Sequence, residues 1–109
     1  MLDGAALSRN IETLRRFTSA QIIAVVKGNG YGLGLVPYAR FLTAQGVALL
    51  AVSTAAEAAA LLQALPALRV EGVFTHLSDA ANAKCTALQY RRFTEGVRIL
   101  QEAGIDTGL

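Results

Sequence analysis

One cysteine, one histidine, two prolines and no tryptophan stand in these 109 residues, and each shortage closes a class of reading. A single cysteine excludes an internal disulfide, so the default setting is the reducing cytoplasm, with Cys85 a free thiol. One histidine and one cysteine do not make a ligand set, so no metal site is expected. No apolar run reaches the roughly 18 residues of a membrane span. The N-terminus, with Asp3 and no basic stretch, does not read as a secretory signal. Formal charge is only +2, and the pairs Arg15-Arg16 and Arg91-Arg92 fall in helical patterns. They read as solvated helix faces, so neither nucleic acid nor a membrane is an expected partner.

What is there is apolar. Hydrophobic residues make up 53% of the chain and charged residues 17%, which is rich for one small domain that buries roughly two-thirds of its unfolded surface. Part of that apolar surface expects a partner, and a homo-oligomer is the simplest one. The pattern alternates. Residues 5–17 place Leu7, Ile11, Leu14 and Phe17 on one helical stripe, with Asp3 as N-cap. A strand follows at 22–26, then a helix from Leu35 to Ala44 with Pro37 in its first turn and Gly46 at its end. Residues 47–53 repeat the strand pattern. Thr54 and Glu57 form a capping box before an alanine-rich helix that Pro66 stops. Residues 70–76, VEGVFTH, read as a third strand. Thr86 and Gln89 form a second capping box, opening a last helix that runs to Gly104. No internal repeat or low-complexity linker appears, and this order is most economically an α/β fold with a parallel sheet and right-handed crossovers.

The stretch 21–34, QIIAVVKGNGYGLG, organises the rest. Its β-branched run reads as a strand buried on both faces, which puts Lys27 at the strand's C-terminal end, where parallel α/β folds gather their chemistry. Glycines 28, 30, 32 and 34 permit positive φ and close approach of a ligand. A loop of this kind running into a helix offers amides to an anion, most naturally a phosphate. The spacing matches neither the dinucleotide fingerprint nor the P-loop, whose lysine follows its glycines. On these residues alone, a ligand-binding turn and a tight turn with a solvated lysine both remain open. His76 ends the third expected strand as Lys27 ends the first, so one parallel sheet would put both on one edge.

VVKGNGYGLG, residues 25–34, resembles the signature of the alanine racemases, in which a strand ends in lysine and continues into an Asn-x-Tyr-Gly stretch. Glycine at 28 and 30 and leucine at 33 are departures from the usual pattern. EGVFTHLSDA, residues 71–80, resembles a second racemase segment. The resemblance implies a pyridoxal 5'-phosphate enzyme that interconverts L- and D-alanine. It assigns the Schiff-base amine to Lys27, the phosphate contact to Tyr31 and a place against the cofactor ring to His76. As a fold it implies a partial TIM-barrel-like set of parallel βα units, about three strands and four helices, in a barrel that one chain does not close; a full barrel takes about 250 residues. Residues 1–65 resemble the barrel start and 68–109 a later βα unit, so 1–109 reads as a single shortened domain without the intervening strands or the C-terminal domain. In the family a tyrosine of that C-terminal domain, acting across a dimer, supplies the second base, and an arginine faces the pyridine nitrogen. Neither has a counterpart here. A non-catalytic barrel fragment that self-associates, a cofactor-homeostasis protein of the same superfamily and a flavodoxin-like phosphate-binding module are the competing readings.

Overall fold

The computed structural model describes residues 3–108, and the chain divides into two compact units, one ending at Ala67 and the other beginning at Leu68. In the first unit, helix α1 (Gly4–Phe17) starts where the sequence places its cap. The Asp3 carboxylate accepts from the backbone N–H groups of Ala5 and Ala6 at 2.9 and 3.1 Å, an arrangement worth about 1 kcal/mol in a typical helix. The expected stripe is only partly covered. Ile11 is buried, whereas Leu14 and Phe17 stay 53% and 84% exposed.

Two strands form a parallel pair, β1 (Ile23–Val25) and β2 (Leu49–Ala51), with Ile23 opposite Leu49 and Val25 opposite Ala51. One further bond, from Val26 N–H to the Ala51 carbonyl at 2.8 Å, carries the ladder past β1. Burial on both faces does not hold. Ile23 and Val25 are 59% and 46% exposed, while Val26, just beyond the strand, is fully buried. Alternation sends Ile23 and Val25 to the same side, and that side of the pair stays about half exposed.

After a short left-handed turn, α2 (Lys27–Tyr31), come α3 (Leu35–Ala44) and α4 (Ala55–Ala64). Leu35, Ala39 and Leu42 bury one face of α3 at helical spacing. They share the core with Val26, Val47, Leu61 and Ile11. Truncating Leu42 or Leu61 to alanine removes about 2–5 kcal/mol, a large part of a small domain's stability. Gly46, at φ 75°, closes α3. Its N–H bonds the Thr43 carbonyl at 2.9 Å and the N–H of Val47 bonds that of Leu42 at 3.0 Å, the paired C-terminal closure that favours glycine.

The second unit holds one long helix, α5 (Ala83–Glu102). It begins before the expected capping box, because Asn82 is the cap and its side chain accepts from Cys85 N–H at 3.1 Å. Gln89 turns away to Ser78, bonding both its N–H and its hydroxyl at 3.0 Å. Residues 70–76 form no strand. A strand exists only in a ladder, and among the described residues this unit has no second strand to pair with. Phe74 is left 83% exposed, and Gly72 contributes no side chain to pack. The sheet is therefore two parallel strands, unclosed, where about three were expected. No helix among the described residues is long and apolar enough to cross a membrane.

Candidate active site

Lys27 follows Val26 at the C-terminal end of β1, as the sequence places it. The backbone that carries it is unusual. Gly28, Asn29, Gly30, Tyr31 and Gly32 all have positive φ, between 55° and 83°, so the chain makes a left-handed turn. For glycine that conformation is free of penalty. For Asn29 and Tyr31, both at φ 55°, it costs about 1–2 kcal/mol in a generic side chain, less for asparagine. A bulky residue such as tyrosine in this region is rare enough to require a cause.

The cause is a set of hydrogen bonds that over-determines the turn. Gly30 N–H reaches the Val26 carbonyl at 2.8 Å, Gly32 N–H the Gly28 carbonyl at 3.1 Å and Gly34 N–H the Asn29 carbonyl at 3.0 Å. Asn29 is held from two directions. Its Oδ1 accepts from Leu35 N–H at 2.9 Å, which caps α3 where Gly34 has no side chain to do so. Its own N–H donates to Glu57 Oε1 at 3.2 Å. Glu57 Oε2 accepts from Ser53 N–H at 3.2 Å, while Thr54 Oγ1 takes the N–H of Glu57 at 3.1 Å. The capping box is thus half made, and its carboxylate serves the two turns that follow β1 and β2. Hydrogen bonds from the amides of Asn29 and Ser53, with a smaller contribution from Gly28, hold the Glu57 carboxyl below its ordinary value.

This corrects one expectation: the Asn29 amide of the glycine loop is engaged by a carboxylate of the chain itself and is not offered to an external anion. Sequence reasoning missed Glu57 as part of this site. Its only signal was the T-x-x-E spacing, which accounts for the helix cap and not for the bond to a turn 28 residues away.

Lys27 and Tyr31 share the turn, and both side chains are exposed, Tyr31 by 63%. His76 stands in the second unit, exposed, on the segment that forms no strand. The premise that placed it on a common sheet edge with Lys27 therefore falls away. No group of metal-binding side chains occurs among the described residues. A cleft of about 370 Å³ lies beside Arg15, Gln21 and Ala48, at the N-terminal ends of the strands and away from Lys27.

The profile of the family described as alanine racemase, N-terminal domain, matches residues 2–65 and 56–109. An alanine racemase of Nitratidesulfovibrio vulgaris is 41% identical over 80 residues, 73% of this chain and 21% of that protein. One of Mycolicibacterium smegmatis is 44% identical over 62 residues, 56% of this chain and 16% of that protein. One of Salinispora arenicola is 34% identical over an alignment of 122 residues, covering 99% of this chain and 33% of that protein. The chain spans a third or less of the length of these relatives. No solved structure matches it. With the family profile covering nearly all of its length in two segments, the chain belongs to the alanine racemase N-terminal domain family.

Proposed function

We propose that this chain is a shortened alanine-racemase-like domain that binds pyridoxal 5'-phosphate through Lys27, with alanine as the amino acid. The observation that carries the reading is Lys27 itself, a primary amine at the C-terminal end of β1 on a strained, multiply bonded turn. Strain that the surroundings hold in place is a mark of functional sites. The residues present fit such a cofactor at two points. Lys27 is an exposed amine suited to an aldehyde, and beyond the turn's own backbone nothing lies within 4 Å of where a Cβ would stand on Gly28 or Gly32, so that side of the turn is open to a ligand. Tyr31 would contact the phosphate and His76 the ring. Those two assignments rest on the family resemblance, and the Asn29 amide is engaged by Glu57.

Bound pyridoxal 5'-phosphate supplies an electron sink for a carbanion at the amino acid's Cα. Lys27 Nζ would take and return a proton on one face of that carbon. Isomerase activity needs a second group on the opposite face, because a base on one face returns the proton whence it came. Residues 1–65 act in this reading as the barrel start and 68–109 as a later βα unit, in a cytoplasmic protein.

Adding pyridoxal 5'-phosphate, recording the visible spectrum, reducing with borohydride and mapping peptides tests the reading. The pyridoxyl mass belongs on the peptide containing Lys27 and disappears in Lys27→Ala. Label on Lys84 instead, or label that survives the substitution, overturns the assignment. A second reading, a non-catalytic barrel fragment that self-associates, is favoured by the exposure of Ile23 and Val25. Under it, no spectral change accompanies the cofactor.

A further inference from the structure

Glu57 joins the two turns that follow the two strands. One carboxylate oxygen accepts from Asn29 N–H, beyond β1, and the other from Ser53 N–H, beyond β2, both at 3.2 Å; the second also meets the Ser53 hydroxyl at 3.4 Å. Lys27 lies between two fixed points. On one side Val26 is fully buried and bonded to Ala51; on the other Asn29 is held by Glu57 and, through its own side chain, by Leu35. The Lys27 backbone is thus held from both sides, by the strand end before it and by the left-handed turn that starts at Gly28.

We propose that Glu57 is the positioning residue of the Lys27 turn: its carboxylate, reaching from α4, holds Asn29 in the left-handed conformation and thereby fixes the approach of the Lys27 amine. The proposal deepens the cofactor reading and rests on it for the identity of the amine's reaction partner. The positioning itself is independent of that partner. A carboxylate suits the task because it accepts from N–H groups on two separate segments at once, and charge-assisted bonds of this kind are stronger than neutral ones. Glu57→Asp separates this role from helix capping. Aspartate keeps an acidic side chain in the first turn of α4, which favours the helix terminus, but its shorter side chain does not span to Asn29.

The experiment compares wild type, Glu57→Asp, Glu57→Gln and Glu57→Ala by three measurements. The first is the amide resonance of Asn29 and its intraresidue amide–Hα cross-peak, strong where φ is positive. The second is the acetylation rate of Lys27 by acetic anhydride, followed by peptide mapping. The third is borohydride-trapped pyridoxal 5'-phosphate on the same peptide. The expected result is a shifted Asn29 amide with a weakened cross-peak in Asp and Ala. Lys27 modification by pyridoxal 5'-phosphate falls several-fold in both, and glutamine, which retains one acceptor, falls between. Glu57→Asp behaving as wild type overturns the proposal, as does an altered Asn29 signal with Lys27 reactivity toward both reagents unchanged. Should wild type take up no pyridoxal 5'-phosphate, the cofactor reading fails alone, and the Asn29 signal with the acetylation rates decides the role of Glu57. If the alanine variant does not fold, Asp and Gln carry the comparison.

Discussion

Alanine placed at Gly28 and at Gly30 separates the two components of the turn's stability. Both positions have positive φ, 62° and 64°, so both substitutions incur the left-handed penalty of about 1–2 kcal/mol. Alanine also stiffens the unfolded chain, which returns about 0.4–1 kcal/mol. At Gly28 a Cβ meets nothing within 4 Å, and the net loss is therefore about 1 kcal/mol. At Gly30 the same atom would lie 3.2 Å from Tyr38 Cδ1, 3.4 Å from Tyr38 Cβ and 3.5 Å from the Leu35 Cα. The Leu35 contact is ordinary, whereas the Tyr38 ring at 3.2 Å must give by a few tenths of an ångström, so an overpacking cost toward the lower end of about 1–3 kcal/mol is added. Gly72→Ala, with open space and no positive φ, serves as control and should change stability by no more than about 0.5 kcal/mol. Urea unfolding followed by far-ultraviolet circular dichroism resolves these differences. With slopes of about 1–3 kcal/mol per molar, the Gly30 variant should unfold earlier than the Gly28 variant by on the order of 1 M. Equal midpoints for the two variants, or a Gly28→Ala indistinguishable from wild type, would refute the left-handed turn against α3.

Other outcomes follow from the same geometry. The Glu57 carboxyl lies below its ordinary 4.5 in the folded chain, so it contributes stability that is complete above that unfolded value and lost as pH falls through the depressed one. The urea midpoint of wild type should drop over that acid range more steeply than that of Glu57→Gln, and parallel curves would contradict the assignment. The apolar exposure of β1 and the open edges of a two-stranded sheet predict association, and a strictly monomeric species by light scattering at high concentration counts against it. The 109-residue chain, incubated with L-alanine and pyridoxal 5'-phosphate, should form D-alanine poorly or not at all by chiral chromatography, since an absent acid–base group typically costs 10² to 10⁴-fold. Robust formation that depends on Lys27 would show that a second base exists.

The parts of the fold that the sequence made legible are those decided locally. Asp3 and Thr54 cap their helices as their side chains dictate, and α3 ends at Ala44 because Gly46 closes it. The strands were found from their β-branched runs, though shorter than expected. What escaped depends on distant partners. Alternating glycines announce positive φ, but nothing local says that Asn29 and Tyr31 between them adopt it too; Asn29 is held there by donating to Glu57 and accepting from Leu35. Residues 70–76 have a strand's alternation and no ladder to join, so periodicity was necessary and not sufficient. At α5, Asn82 was as good a cap as Thr86 and stood earlier in the chain.

The exposure pattern bears on function as well as on folding. Strands of a parallel sheet are ordinarily covered on both faces, yet Ile23 and Val25, four and two residues before Lys27, lie open to water by 59% and 46%. Their exposure marks surface that other parts of a longer barrel, or another chain, would cover. The same cover would exclude water from the Lys27 end of β1, and electrostatic interactions that a racemase relies on are far stronger in a dry site than in an open one. The turn behaves differently. Its left-handed residues are held by bonds with Val26, Leu35 and Glu57, all within the first unit. On the proposed reading, positioning of the amine is carried by this chain's own residues, whereas dryness and a second proton donor come from elsewhere. A chain with the first property and without the others should capture an aldehyde at Lys27 far more readily than it moves a proton across the two faces of a carbanion.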